Sequence, residues 1–424
     1  MEIKFCKFCT ISNFRPSSSI EFKNNNKAKQ YISFQDGICE PCLHNINYKK
    51  YIDWEKRKNQ LEQLLESIKS DKQYDIIVPS SGGKDSTTQC HILKNIHKAK
   101  ILSITWAPMI YSIPGFVNFQ NMIHSVGVDN ILFHTNGKVH RLLTRLAFEN
   151  ILHPFQPFIL GQKNCGVKFA IDNNINTFFY GENEAEYGNS SDDNEVPTRK
   201  LDYCSVDDDT DFNELIISGV KVKDLIKNYN LTINDLKPYL PFKRSEVKDK
   251  INIYYLGYFY KWDPQDIYYQ AVKECNFKAN DHRTEGSFPK YSSFDDRTDG
   301  FHYWTTWIKF GIGRCTYDSC QEIRNGKITR EEGLKLVEKY DGDLPLKFLP
   351  EFLNYIDMDL EQFFDTVDKF RNPILWEKIG DHKWKLKHTC FGKEKIDNSY
   401  FIAKKYLEEE DFITPLIKYE KLNL

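Results

Sequence analysis

The chain of 424 residues is long enough for roughly two or three domains with sizeable cores. Its 40% hydrophobic and 28% charged residues are ordinary for a soluble protein, and a formal net charge of −2 argues against a protein built around nucleic acid. No apolar run reaches the length of a membrane span and the first residues lack a signal-peptide pattern, so a cytoplasmic protein is expected.

Two knuckles come first, Cys6-Lys-Phe-Cys9 and Cys39-Glu-Pro-Cys42. Paired Cys-x-x-Cys units in a cytoplasmic chain present four thiolates to one Zn²⁺ and close its coordination, so residues 1–48 are expected to form a structural zinc module. Gly37 precedes the second knuckle, Phe5 and Phe8 flank Cys6, and a polar stretch (Ser17 to Ser19, Asn24 to Asn26) separates the halves. Over residues 49–72, Tyr51, Trp54, Leu61, Leu64, Leu65 and Ile68 recur at helical spacing among charges, which predicts a linker helix.

From residue 73 to 212 strand-like runs alternate with helical ones. Strands are predicted at 75–79, 100–106, 130–133 and 176–180, an order that implies a parallel sheet with helices on both faces. After the first strand the chain reads Ser80-Ser81-Gly82-Gly83-Lys84-Asp85-Ser86-Thr87. Glycines let the main chain approach an anion closely, and a helix start aims N–H groups and the positive end of its dipole at the same point. The spacing is not that of the Walker loop. Ser81-Gly82-Gly83-Lys84-Asp85-Ser86 resembles instead the loop of pyrophosphatase-type enzymes that cut ATP into AMP and pyrophosphate, which makes residues 80–87 candidate ATP ligands.

Ligands of open parallel sheets sit beyond the carboxyl ends of the strands. Thr105 and Trp106 end the second strand and are placed for the adenine or ribose, and Lys163, in Gly161-Gln162-Lys163-Asn164-Cys165-Gly166, is a candidate phosphate partner. The fourth strand runs into Tyr180-Gly181-Glu182-Asn183-Glu184-Ala185-Glu186-Tyr187-Gly188. Its carboxylates and amide suit three roles equally well: binding Mg²⁺, positioning an amine, or taking its proton. Residues 188–212 are rich in Asn, Ser and Asp and read as a loop; 213–390 reads as mainly helical and 391–424 as a tail.

Nearly the whole chain resembles the N-acetyl sugar amidotransferases of bacterial surface-polysaccharide and nonulosonic acid synthesis. The resemblance is carried by the paired knuckles, residues 81–86, the acidic segment 181–188, and longer motifs downstream. These are Asp295-Asp296-Arg297-Thr298-Asp299-Gly300-Phe301-His302-Tyr303, Lys309-Phe310-Gly311-Ile312-Gly313-Arg314, Gln321-Glu322-Ile323-Arg324-Asn325-Gly326 and Thr329-Arg330-Glu331-Glu332. Cys315 and Cys320 depart from it, standing where smaller or non-thiol residues are expected.

The resemblance implies a Rossmann-like sheet of the HUP type with a zinc-ribbon-like module and a helical C-terminal domain. It implies that ATP, with Mg²⁺, adenylates the carbonyl of a sugar N-acetyl group, and that ammonia then displaces AMP to leave an acetamidino group. Lys84, Asp85, Glu182, Asn183 and Glu186 would be catalytic. Tyr187, Asp296, His302, Tyr303, Lys309, Arg314 and Arg324 would hold the sugar. The sugar would be a nonulosonic acid or a UDP-linked diacetamido uronic acid.

Ammonia would come from a separate glutaminase through a barrel-type channelling partner, because Glu2 follows the initiator Met and Cys165 lacks the glycine-flanked elbow of a glutaminase. A tRNA thiolation enzyme shares the loop and Cys-x-x-Cys modules. It needs further cysteines at the ATP site and a basic face, which this sequence does not offer.

Overall fold

The structure, a computed structural model, describes residues 2–15, 31–181, 196–409, 415 and 417–422. Its centre is a five-stranded parallel sheet of β1 (Ile76–Pro79), β2 (Ile101–Trp106), β3 (Asp129–Phe133), β4 (Thr177–Tyr180) and β5 (Asn252–Tyr255), in spatial order β5-β4-β1-β2-β3. Ile76, Ile77 and Val78 are fully buried, as strands covered on both faces require. The first four strands fall where the sequence places them. Because the chain steps from β1 to β2 and β3 on one side and returns to β4 on the other, the order reverses beside β1. That reversal opens a crevice at the carboxyl ends of β1 and β4.

Helix α1 (Trp54–Ser67) is the predicted linker helix. Asp53 caps it by accepting from the Lys56 N–H at 3.0 Å, and Leu61 is its fully buried anchor against the sheet core. Helices α2 (Lys84–His91), α3 (Gly137–Ile151) and α4 (Gln156–Asp172) follow β1, β3 and α3 respectively.

The region read as helical from residue 213 contributes more than helices. Its segment Asn252–Tyr255 pairs with Thr177–Tyr180 as the edge strand of the main sheet. Four residues without alternation give too short a pattern to separate from the surrounding helical signal. Beyond it come α5 (Asp299–Phe310), α6 (Arg314–Arg324) and three further helices ending at Asp368. Trp376–Gly380, Lys383–Leu386 and Lys395–Asp397 then form an antiparallel sheet, followed by a helix at Ser399–Glu408. The expected tail thus holds a strand and a helix.

The largest hydrophobic cluster joins the N-terminal cysteines, Ile11, Phe14 and Ile32 to Phe301, Trp304, Trp307, Phe352 and Phe363. Phe301 and Phe352 stack with centroids 4.1 Å apart. The cysteine module is therefore packed onto the C-terminal helices, and Arg330 donates to the Cys6 and Cys9 carbonyls at 3.1 Å.

Arg371 anchors the small sheet. Its side chain is 1% exposed, bonds Asp368 at 3.0 Å and the buried Asp397, and lies 4.4 Å over the Trp376 ring. Removing one partner of a buried pair strands the other charge, which costs about 3–5 kcal/mol. Arg371→Ala is accordingly expected to lower the free energy of urea unfolding by about that amount. A loss under about 1 kcal/mol would show that this ion pair is not what fixes the small sheet.

Candidate active site and metal centre

The loop after β1 is held from below. Ser80 N–H donates to the Ile104 carbonyl at 2.9 Å, and the Thr105 hydroxyl donates to the Ser80 carbonyl while accepting from Asn130 at 2.9 Å. Gly82 adopts φ +87°, and a Cβ there would lie 2.5 Å from the Phe119 Cα, so no other residue fits. Gly83 is the N-cap of α2 and supplies no side-chain cap, so the first-turn N–H groups point out for an anion. Ser81 and Ser86 brace the turn: the Ser81 N–H donates to Ser86 Oγ at 3.3 Å, and Ser86 Oγ donates to the Gly83 carbonyl at 3.2 Å. This cradle, too tight for a Cβ and closed by a bare helix start, fits the phosphates of a nucleotide.

Lys84 is 5% exposed and its Nζ sits 2.6–2.7 Å from both Asp85 oxygens; Asp85 also accepts from Trp262 Nε1 at 3.2 Å. The pair opens into a cleft of ≈ 810 Å³ that runs from the loop to helices α5 and α6.

Of the residues expected at the ATP, Ser80, Ser81, Gly83, Lys84, Asp85, Ser86, Thr105, Trp106, Lys163 and Gly181 line this cleft. Gly82 and Thr87 do not: Gly82 backs onto Phe119, and Thr87 is 1% exposed beneath α2. Thr105 spends its hydroxyl on the loop, and the Trp106 ring is stacked on Phe133 at 5.4 Å and pressed against Gly161, so both build the wall. Lys163 Nζ lies 4.6 Å over the Tyr203 ring. Glu182, Asn183, Glu186 and Tyr187 lie outside the described residues.

The C-terminal half closes the cleft with two helical stripes. Asp299, His302, Tyr303 and Thr306 on α5 follow the i, i+3, i+4, i+7 rule, as do Arg314, Tyr317, Asp318 and Gln321 on α6. His302 stacks on His153 and Phe155 at 4.7 and 5.7 Å. Arg314 donates to both Asp318 oxygens at 3.0 and 3.1 Å and to Ser293 Oγ at 2.7 Å, and lies 4.3 Å over the Tyr303 ring. Asp296 is a wall residue, accepting from Met109 N–H at 2.5 Å and from Thr298 at 2.7 and 2.8 Å; burial pushes its carboxyl up to about 7. Burial, then Asp295, pushes Asp299 to about 6, and burial, then Asp263, pushes Glu322 to about 7.

Two residues expected at the sugar are elsewhere. Lys309 shares the His302 stripe but lies two turns on, about 10 Å along the axis, where its Nζ donates to the Ile151 carbonyl at 3.3 Å. Arg324, in the last turn of α6, faces the cysteines. Burial alone would depress its guanidinium, and the sulfurs of Cys320, Cys42, Cys9 and Cys39 outweigh that and raise it. Sequence reading missed Arg15, Trp262, Tyr291, Asp299, Tyr317, Gln321 and Glu322. The residues on α5 and α6 were readable as polar positions recurring at helical spacing around motifs already singled out.

The sulfurs of Cys6, Cys9, Cys39 and Cys42 lie within 4.8 Å of one another and all four residues are buried. Phe8, Cys9 and Cys39 aim N–H groups at Cys6 Sγ from 3.3–3.4 Å, an arrangement that favours a thiolate. The donor set fits a tetrahedral metal such as Zn²⁺, which when bound cross-links the hairpin ending at Cys39 to the first knuckle. Cys320 approaches this group, with its sulfur 3.2 Å from Thr10 Oγ1. Cys165 is the one cysteine among the described residues that lines the cleft, and burial raises its thiol to about 11, opposite to what a nucleophile needs.

Fold and loop together define an α/β protein with an anion-sized cradle at the switch point of its parallel sheet. Residues 285–390, about a quarter of the chain, match the family profile described as "LPS biosynthesis protein WbpG-like, C-terminal domain", which supports the resemblance to the N-acetyl sugar amidotransferases. The matched family supports a sugar-modifying role, and family and fold together suggest an ATP-using enzyme. No curated protein matches the chain. Among solved structures the U34-tRNA thiolase NcsA from Methanococcus maripaludis, with its [4Fe-4S] cluster, is similar at 12% identity, over 80% of this chain and 90% of that chain, with a TM-score of 0.29. A likeness at that level decides nothing between functions. No helix among the described residues is long and apolar enough to cross a membrane.

Proposed function

We propose that the protein adenylates the N-acetyl carbonyl of an anionic surface sugar and lets ammonia displace AMP to form an acetamidino group. The observation that carries this reading is the single cleft in which the anion cradle of residues 80–86 faces α5 and α6, the helices of the matched domain. An amide carbon is a poor electrophile and its oxygen a poor leaving group. Attack of that oxygen on the α-phosphorus expels pyrophosphate and gives an O-adenylyl imidate. Ammonia then adds to the imidate carbon, loses a proton, and AMP departs.

The chain's part is positioning and charge stabilisation. First-turn N–H groups of α2 and Lys84 meet the phosphates, and Asp85 fixes the ammonium of Lys84. Mg²⁺ entering with the nucleotide would find Asp85 and Asp295, whose carboxyl is bonded to Ser81, at the rim of the loop. Glu182 or Glu186 remains our candidate for the proton lost by ammonia. The thiolation alternative is disfavoured because, among the described residues, one cysteine lines the cleft and burial raises its thiol.

The test is mass spectrometry of candidate sugars incubated with enzyme, ATP, Mg²⁺ and ammonium. One sugar is expected to lose one mass unit, the exchange of oxygen for NH, with stoichiometric pyrophosphate. Ammonium is expected to support turnover alone and increasingly as pH rises above 7, since NH₃ is the nucleophile. Glutamine should act only after a separate glutaminase and channelling partner are added. Pyrophosphate release with tRNA and a sulfur donor, and none with sugars, would refute the proposal.

A further inference from the structure

Arg15 is the last described residue of the first cysteine knuckle segment, yet its side chain lines the cleft. It is 4% exposed. Its Nε donates to the Tyr317 hydroxyl at 3.2 Å, and its guanidinium lies 4.6 Å over the Tyr317 ring. Among the described residues no carboxylate pairs with it.

The acids on its side of the cleft are committed elsewhere. Asp318 takes Arg314 and the Ser287 hydroxyl, and Glu322 accepts from Gln265 at 2.8 Å. A guanidinium is always charged, and a buried charge without a counter-ion is costly unless a ligand supplies one. Lys84 and Arg314, which share the cleft, already have carboxylate partners, whereas Arg15 has none among the described residues and is placed to receive an anion.

We propose that Arg15, carried into the cleft by the metal-binding module, is the receptor for the negative charge of the sugar substrate. The module then completes the substrate site as well as stabilising the fold. Its planar fork suits bidentate contact with a carboxylate or a phosphate. The inference rests on the proposed function for the identity of the ligand as a sugar.

The test is calorimetric titration of the full-length, metal-loaded protein held with a non-hydrolysable ATP analogue. The probes are N-acetylneuraminic acid, UDP-N-acetylglucosaminuronic acid and UDP-N-acetylglucosamine. Arg15→Ala is expected to weaken an anionic sugar on the order of thirtyfold. Arg15→Lys should recover part of that loss, and affinity for the ATP analogue should stay within twofold. Loss confined to the sugar acids assigns a carboxylate; equal loss for both UDP-sugars assigns the phosphate. Unchanged sugar affinity in Arg15→Ala, or an equal loss for the ATP analogue, overturns the assignment and leaves the proposed function standing. Failure of the wild-type protein to bind any of the three sugars overturns both.

Discussion

Asp85→Ala and Asp85→Asn are each expected to cut pyrophosphate release by at least about a hundredfold, the scale of losing one preorganised electrostatic group at a phosphate. Asp85 is the partner that holds Lys84 Nζ at 2.6–2.7 Å in a site where the lysine is 5% exposed. Without the carboxylate, the ammonium loses its fixed position and the Trp262 N–H loses its acceptor. Asparagine keeps the shape and the acceptor but not the charge, so it separates electrostatics from packing. Neither substitution removes apolar surface from the sheet core, where Ile76, Ile77 and Val78 are fully buried, so the melting transition should stay cooperative. Turnover near wild type in either variant, with a normal melt, removes residues 80–86 from the nucleotide site.

What the sequence made legible follows from how local each signal is. The strand–glycine–helix loop is specified by consecutive residues, and its parallel strands are apolar runs bounded by turns, so both were readable without knowing the partners. The edge strand Asn252–Tyr255 exists because it pairs with Thr177–Tyr180, and pairing over that separation leaves no local trace. Motif membership placed Arg324 near the sugar, yet its side chain turns toward the cysteines, whose sulfurs raise its guanidinium against the effect of burial. Lys309 shows the same limit: motif membership put it at the sugar, yet its side chain reaches the Ile151 carbonyl two turns beyond His302. Arg15 is the reverse case. Its neighbours in sequence belong to the metal module, and only tertiary packing brings it to Tyr317.

The second large effect expected is on the metal. Protein purified without chelator should carry about one tightly bound Zn²⁺, and Cys39→Ser or Cys6→Ser should weaken or abolish its binding. Without a metal, four buried sulfurs within 4.8 Å of one another are thiols crowded together and removed from water. The module also shares the largest hydrophobic cluster with Phe301, Trp307 and Phe352, so loosening it exposes apolar surface on the C-terminal helices. The melting temperature should fall by about 5 °C or more. Adenylation at saturating sugar should fall only with the folded fraction, since no cysteine of the cluster lines the cleft. Half-saturation by sugar should rise further, because the chain that leads from Cys9 to Arg15 loses its anchor, while affinity for ATP holds. Metal analysis finding no zinc in chelator-free protein would contradict the assignment, as would an unchanged melt in Cys39→Ser.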